Sequence, residues 1–171
     1  GYDQAKQLSK KAAYLIQAGK REEAIKIFDE ILKLKPDLAL ILINRGQMHE
    51  ALKNYPAAIA DYKKAIEIDP DSWLPHNNLA FLYAASEQDE LRNGAQALEH
   101  AQKASDLLPT KYWLTYSALA VAYAETGQFE KAIEMQSQAQ QLIPESDRIE
   151  AARRLKLFKE GKPYRRSADK K

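Results

Sequence analysis

From Trp113 to Pro144 the apolar positions keep time with a helix, lose it and regain it. Leu114, Leu119, Ala120 and Tyr123 fall at helical spacing. Thr126-Gly127-Gln128 breaks the pattern, and Phe129, Ala132, Ile133 and Ala139 resume it until Pro144. The pattern predicts two helices joined by a tight turn, a helical hairpin.

Shifting the chain against itself finds the hairpin again. Ala132 lines up with Ala97, Ala58 and Ala24, and Pro144 lines up with Pro109, Pro70 and Pro36. Both columns are spaced by 34, 39 and 35 residues. Leu79, Ala80 and Tyr83 match Leu119, Ala120 and Tyr123, while Gly46 and Ala12 take the small-residue place in the second and first copies.

A repeat of about 34 residues, with small residues on both helices and a proline ending the second, resembles the tetratricopeptide repeat family. The resemblance covers roughly residues 3 to 145. It implies an all-α fold, a right-handed superhelical solenoid of antiparallel helix pairs. The hairpins are expected at about 3–36, 37–70, 71–109 and 110–144, within a single domain over 3–160. The copies depart from the family pattern at two places. Lys11 and Arg45 stand where Leu79 and Leu119 supply an apolar residue, and the third copy carries an insertion in SEQDELRNG.

Punctuation along the chain agrees with these bounds. Gly19 supplies a left-handed turn residue after a first helix carrying Leu8, Ala12 and Leu15. Pro36 stops the second helix, Asp37 is placed to cap the third, and Pro56 fits the first turn of the fourth. Asp71 or Ser72 caps the third hairpin, with Pro75 in its opening turn. Ser146 is placed to cap a last helix over 146–160, with Ile149, Ala152, Leu155 and Phe158 inward and Arg153, Arg154, Lys156 and Lys159 in water. A stacked array needs such a cap to cover its terminal apolar face. Residues 161–171 read as a basic flexible tail.

Composition narrows the function classes. Apolar content of 45% suits a packed protein. The densest apolar run, LALILI at 38–43, is too short to span a bilayer. Without cysteine there are no disulfides or thiolate metal sites. His49, His76 and His100 lack paired-ligand spacing, and no Gly-rich phosphate loop is present. His76 is placed in an opening turn, as a cap or in water. No acid–base pair stands out, so the chain is read as no enzyme and no cofactor is expected. Gly1-Tyr2-Asp3-Gln4 has neither the basic start nor the apolar core of a secretory signal, which tilts the expectation toward the cytoplasm. The chain does not open on Met, so removal of a leader would place it in a secreted or periplasmic setting.

Charge is uneven: Arg153 to Lys171 carries +7 and the rest −5, within a net +2. Such an end can meet nucleic acid or anionic lipid. Its one aromatic, Tyr164, is too little for a stacking platform, so nucleic acid is disfavoured and a solvated tail is preferred.

The resemblance also implies a concave groove lined by the first helix of each pair, holding a peptide or helix of a partner. In this sequence the corresponding positions are Leu40, Ile43, Asn44, Gln47, Leu74, Asn77, Asn78, Phe81, Leu114, Ser117 and Val121. The apolar members make a patch larger than scattered surface hydrophobes. Asn44 and Asn78 are equivalent in adjacent copies, and an amide offers donor and acceptor together to a peptide backbone. The family's carboxylate clamp needs basic groups at places held here by Ser9, Ala13, Leu74, Leu114 and Ala118, so chaperone C-termini are not expected. A non-catalytic interaction scaffold for an unidentified protein or peptide is therefore predicted. A homodimerisation module and an anion or membrane-surface adaptor through the tail are the alternatives.

Overall fold

The structure, a computed structural model, describes residues 2–110 and 112–166. Among the described residues the regular structure is entirely helical. The α-helices are α1 (Tyr2–Gln17), α2 (Arg21–Leu34), α3 (Ala39–Ala51), α4 (Tyr55–Ile68), α5 (Trp73–Ala85), α6 (Gly94–Asp106), α7 (Trp113–Glu125), α8 (Phe129–Leu142) and α9 (Arg148–Lys159). Short 3-10 turns precede α6 and α9, at Asp89–Leu91 and Glu145–Asp147. The helices pack in sequential pairs, and the chain divides into two compact units, Gly1–Pro75 and His76–Lys171.

In the first unit α1 packs on α2, α2 on α3 and α3 on α4. Ala12, Leu15, Ala24, Ile27, Phe28, Ile31 and Ile41 form one buried cluster. Burying each large member contributes about 1.5–3 kcal/mol, and this holds α1 and α2 together beyond their own helical propensity. The α1–α2 turn places Gly19 at φ +72 with open space around it, so backbone angle and not crowding selects glycine there. Pro36 follows directly on the end of α2, and Pro56 sits in the first turn of α4, as expected. Asp37 does not cap α3. Leu38 occupies the N-cap position with no side-chain cap, because it packs against the apolar cluster and its burial fixes where the helix begins.

Arg45 accounts for the most conspicuous departure from the repeat pattern. Its guanidinium bridges three elements, with Nε 2.9 Å and Nη2 2.6 Å from the two carboxylate oxygens of Asp61 on α4, and Nη1 2.7 Å from Asp29 on α2. An apolar layer in the later copies is thus replaced by an ion-paired one. Next to it Gly46 admits Tyr62: a Cβ at Gly46 would come 2.7 Å from the Tyr62 ring. That ring is fully buried and its hydroxyl donates to Glu50 at 2.7 Å, so it has nowhere to retreat.

In the second unit α6 packs on α7, α7 on α8 and α8 on α9. Residues 79–86 and 117–122 are buried without interruption, so α5 and α7 are apolar on all sides where the outer helices are not. The alanines at 97, 101, 104, 132 and 139 are fully buried and let the helices approach closely. Asn93 caps α6 by accepting from the Gln96 amide at 3.1 Å.

The C-terminal helix turns a different face inward from the one expected. Ala151, Arg154 and Phe158 are buried, Leu155 is half-buried, and Ile149 and Ala152 are exposed, Ile149 at 85%. Ser146 falls in the 3-10 turn and Asp147 takes the N-cap position, so the cap lies one residue later than expected. Arg154, expected in water, is 7% exposed. The expected free tail also differs over residues 162–166. After a left-handed Gly161, the Lys162 amide donates to Leu157, Tyr164 is buried, and the Arg166 amide donates to the Ala85 carbonyl at 2.9 Å. Lys170 and Lys171 lie outside the described residues.

Candidate functional site

In the first unit the expected binding positions on α3 form one stripe. Leu40, Ile43, Asn44 and Gln47 follow the i, i+3, i+4, i+7 spacing that aligns side chains along a helix face. Leu40 is 62% exposed, Asn44 and Gln47 are half-buried, and Ile43 is buried at the foot of the stripe. Leu74, in the first turn of α5, is half-buried. The stripe therefore presents one large apolar side chain beside two amides.

In the second unit the corresponding positions are more enclosed. Asn78 and Leu114 are half-buried, whereas Asn77, Phe81, Ser117 and Val121 are buried. Asn77 Oδ1, Asn78 Nδ2 and Ser117 Oγ have no hydrogen-bond partner among the described residues. Buried polar atoms of this kind cost about 1–3 kcal/mol each unless something satisfies them.

Phe81 is enclosed by groups from beyond the repeats. The guanidinium carbons of Arg154 and Arg166 each stand 5.8 Å from its ring centroid, within cation–π range. Arg154 also lies 5.6 Å from the Tyr164 ring, and Arg153 5.7 Å from the same ring. Burial presses Arg154 below its ordinary pKa, while Tyr164, Glu150 and Asp147 act against that shift. Burial and a hydrogen bond to Glu150 raise the Tyr164 phenol.

Beside Phe81 the C-terminal ends of α5 and α7 gather arginines. Arg165 Nη1 is 2.6 Å from the Glu125 carboxylate and 3.4 Å from the Ala84 carbonyl. Arg92 donates to the Ser86 carbonyl at 2.9 Å, pairs with Asp89 and stands 3.6 Å from Glu125. Carbonyls in the last turn of a helix lack intrahelical partners and carry the negative end of the helix dipole, so cations settle there. Arg165 and Arg166 belong to the stretch expected as a free tail, because residues 162–166 form no regular element and carry no periodicity to read.

The histidines also differ from expectation. His76 is buried, not water-facing, and its Nδ1 lies 2.8 Å from His100 Nδ1. The Tyr83 ring stacks on His100 at 5.9 Å, so the pair ties α5 to α6. Desolvation, with the nearby His100 and Lys103, lowers the His76 pKa to about 4. The adjoining open pocket is lined by Glu99, Gln102, Lys103 and Asp106. Among the described residues no group of three or more His, Cys, Asp or Glu is arranged to hold a metal ion, and no helix is long and apolar enough to cross a membrane.

Comparison with known proteins accords with this architecture. Tetratricopeptide repeat models match residues 8–38, 39–72, 61–99 and 115–146. The chain is 34% identical over 86 residues to small glutamine-rich tetratricopeptide repeat-containing protein 2 of Saccharomyces cerevisiae, a match covering 50% of this chain and 23% of that protein. The chain thus spans about a quarter of the relative's length. Among solved structures it resembles MamA (21% identity, TM-score 0.72, covering 94% of this chain and 84% of that one). It also resembles PilF of Pseudomonas aeruginosa (20% identity, TM-score 0.73, covering 92% and 69%). At these identities the structural likeness speaks for the fold alone. The repeat matches extend from residue 8 to residue 146, over helices packed in sequential pairs, and the chain belongs to the tetratricopeptide repeat family.

Proposed function

We propose that the chain is a non-catalytic protein-binding scaffold that takes an extended segment or a helix of a partner on the faces of its first helices. Repeats of this family typically mediate protein–protein interactions. The observation that carries the reading is the α3 stripe, where an exposed Leu40 stands beside the half-buried amides of Asn44 and Gln47. An apolar side chain buries against a partner, and amides next to it pair with the partner's backbone, whatever its sequence. In the second unit Asn78 and Leu114 offer a similar, narrower combination, with Asn77, Phe81, Ser117 and Val121 behind them.

The test is affinity capture from cells of the source organism with three purified full chains: wild type, Leu40→Glu with Asn44→Ala, and Leu142→Glu as an exposed control outside the first helices. Loss of the same prey from the first variant and its retention by the control is expected. Unchanged prey on all three chains overturns the placement on α3.

A second reading, self-association, is favoured by Ile149, which stands 85% exposed on α9. It predicts that molar mass rises with concentration and that Ile149→Glu abolishes the rise.

A further inference from the structure

We propose that the C-terminal ends of α5 and α7 form a receptor for an extended segment bearing an aromatic residue followed by two arginines. In this structure residues 164–166 of the same chain fill it. The inference rests on reading the second unit's first helices as a binding face, and it names the chemistry that face accepts.

The receptor is a set of acceptors arranged around one ring. Ala84 and Ala85 present main-chain carbonyls from the last turn of α5, where no further helical amide meets them. Glu125, at the C-terminus of α7, presents a carboxylate whose side chain is 14% exposed, and Phe81 presents its ring one turn back from the carbonyls. Arg92 supplies a cation from the α5–α6 connection, but it stands 3.6 Å from Glu125 and also serves Asp89 and Ser86.

Each acceptor is met by a group of the segment. The Arg166 amide donates to Ala85, the Arg165 guanidinium reaches Glu125 and Ala84, and the Arg166 guanidinium lies over Phe81. Tyr164 is buried, with the Arg153 and Arg154 guanidiniums 5.7 and 5.6 Å from its ring, so α9 supplies the seat for the aromatic residue beside the ends of α5 and α7. Arg165 makes its contacts through one nitrogen, Nη1, which also reaches the Tyr164 carbonyl at 2.9 Å, so that place asks for a cation, and the preference for arginine comes from Arg166, whose planar guanidinium lies over the Phe81 ring.

The segment occupies this receptor by tethering more than by contact area. It joins α9 through Gly161, and a short tether holds a ligand at an effective concentration of about millimolar. An external segment with the same pattern must outcompete that local concentration, so the face is masked until such a partner arrives. Partner binding and release of residues 164–166 are then one exchange.

The experiment uses the full chain and a fluorescent peptide of the sequence Gly-Lys-Pro-Tyr-Arg-Arg. Arg165→Ala with Arg166→Ala is expected to bind this peptide at least tenfold tighter than wild type, because the internal competitor is weakened. Adding Glu125→Gln, or changing the peptide's arginines to alanine, is expected to cancel the gain. Equal affinity for wild type and the double variant, or binding indifferent to Glu125, overturns the proposal. A second measurement leaves the wild-type chain intact: millimolar peptide should lower the hydrogen-exchange protection of the Arg166 amide, and full retention of that protection overturns the proposal too. The α3 variant Leu40→Glu should not change either result, so failure of this inference is distinguishable from failure of the α3 reading.

Discussion

Arg45 and Asp61 face each other in a two-point contact, Nε to one carboxylate oxygen at 2.9 Å and Nη2 to the other at 2.6 Å. The Asp61 side chain is only 8% exposed, so its oxygens rely on that partner for hydrogen bonds. Arg45→Leu restores the residue type of the later copies, yet it is expected to destabilise the chain by about 1–3 kcal/mol, because a buried acceptor loses its donors. Arg45→Leu combined with Asp61→Leu should recover most of the loss, since apolar replacement of a whole buried pair is often neutral or better. Urea denaturation of the two single variants and the double variant checks this. Additive losses would mean the pair is not coupled.

His76 supplies a pH dependence whose sign follows from its environment. Its pKa is about 4 in the folded chain and about 6.5 when unfolded, so the unfolded state takes the proton first as pH falls. The stability it contributes is complete above about pH 6.5 and declines as pH falls toward 4. His76→Phe should flatten that part of the profile. The comparison to make is the melting temperature of both chains between pH 7.5 and 4.5, and parallel curves would discount the histidine pair.

Gln136 on α8 is fully buried, and neither its Nε2 nor its Oε1 has a hydrogen-bond partner among the described residues. Gln136→Met keeps the volume and removes the polar atoms, so a gain of about 1–2 kcal/mol in unfolding free energy is expected. A loss instead would show that the amide is satisfied in solution, by water for example.

The orientation of α9 separates two neighbouring substitutions. Ile149→Glu should leave stability within about 0.5 kcal/mol, as exposed changes usually do. Ala151→Glu, at a fully buried site, should unfold the last helix or cost several kcal/mol. Thermal melts of the pair decide between the observed face and the one that turns Ile149 inward.

The repeats were legible because their period is carried by residues that packing and backbone geometry both select. Ala24, Ala58, Ala97 and Ala132 are all fully buried, and the prolines at 36, 70, 109 and 144 all fall after helix ends. The last helix was harder to orient. Over twelve residues its apolar positions fit two faces, and the Arg154 stem fills a buried place that polarity alone assigns to water. Burial of Phe81 was not legible either, since Arg154 and Arg166, which cover it, lie outside the repeating units. Leu40, Ile43, Asn44 and Gln47 share a face of α3 because their spacing is helical, and that much is readable from sequence.

The contact between Arg165 and Ala84 joins positions 81 residues apart, as the Arg166–Ala85 contact does, in a unit whose helices pack mainly on their neighbours in sequence. A stack of helix pairs behaves like a one-dimensional lattice, in which fraying starts at an end and runs inward one interface at a time. This contact closes the lattice of the second unit into a loop. While it is closed, α9 cannot peel away without also exposing the end of α5, and the closing entropy grows only slowly with the length spanned. The second unit should therefore melt as one cooperative block with the segment in place, and terminal first once the segment is removed.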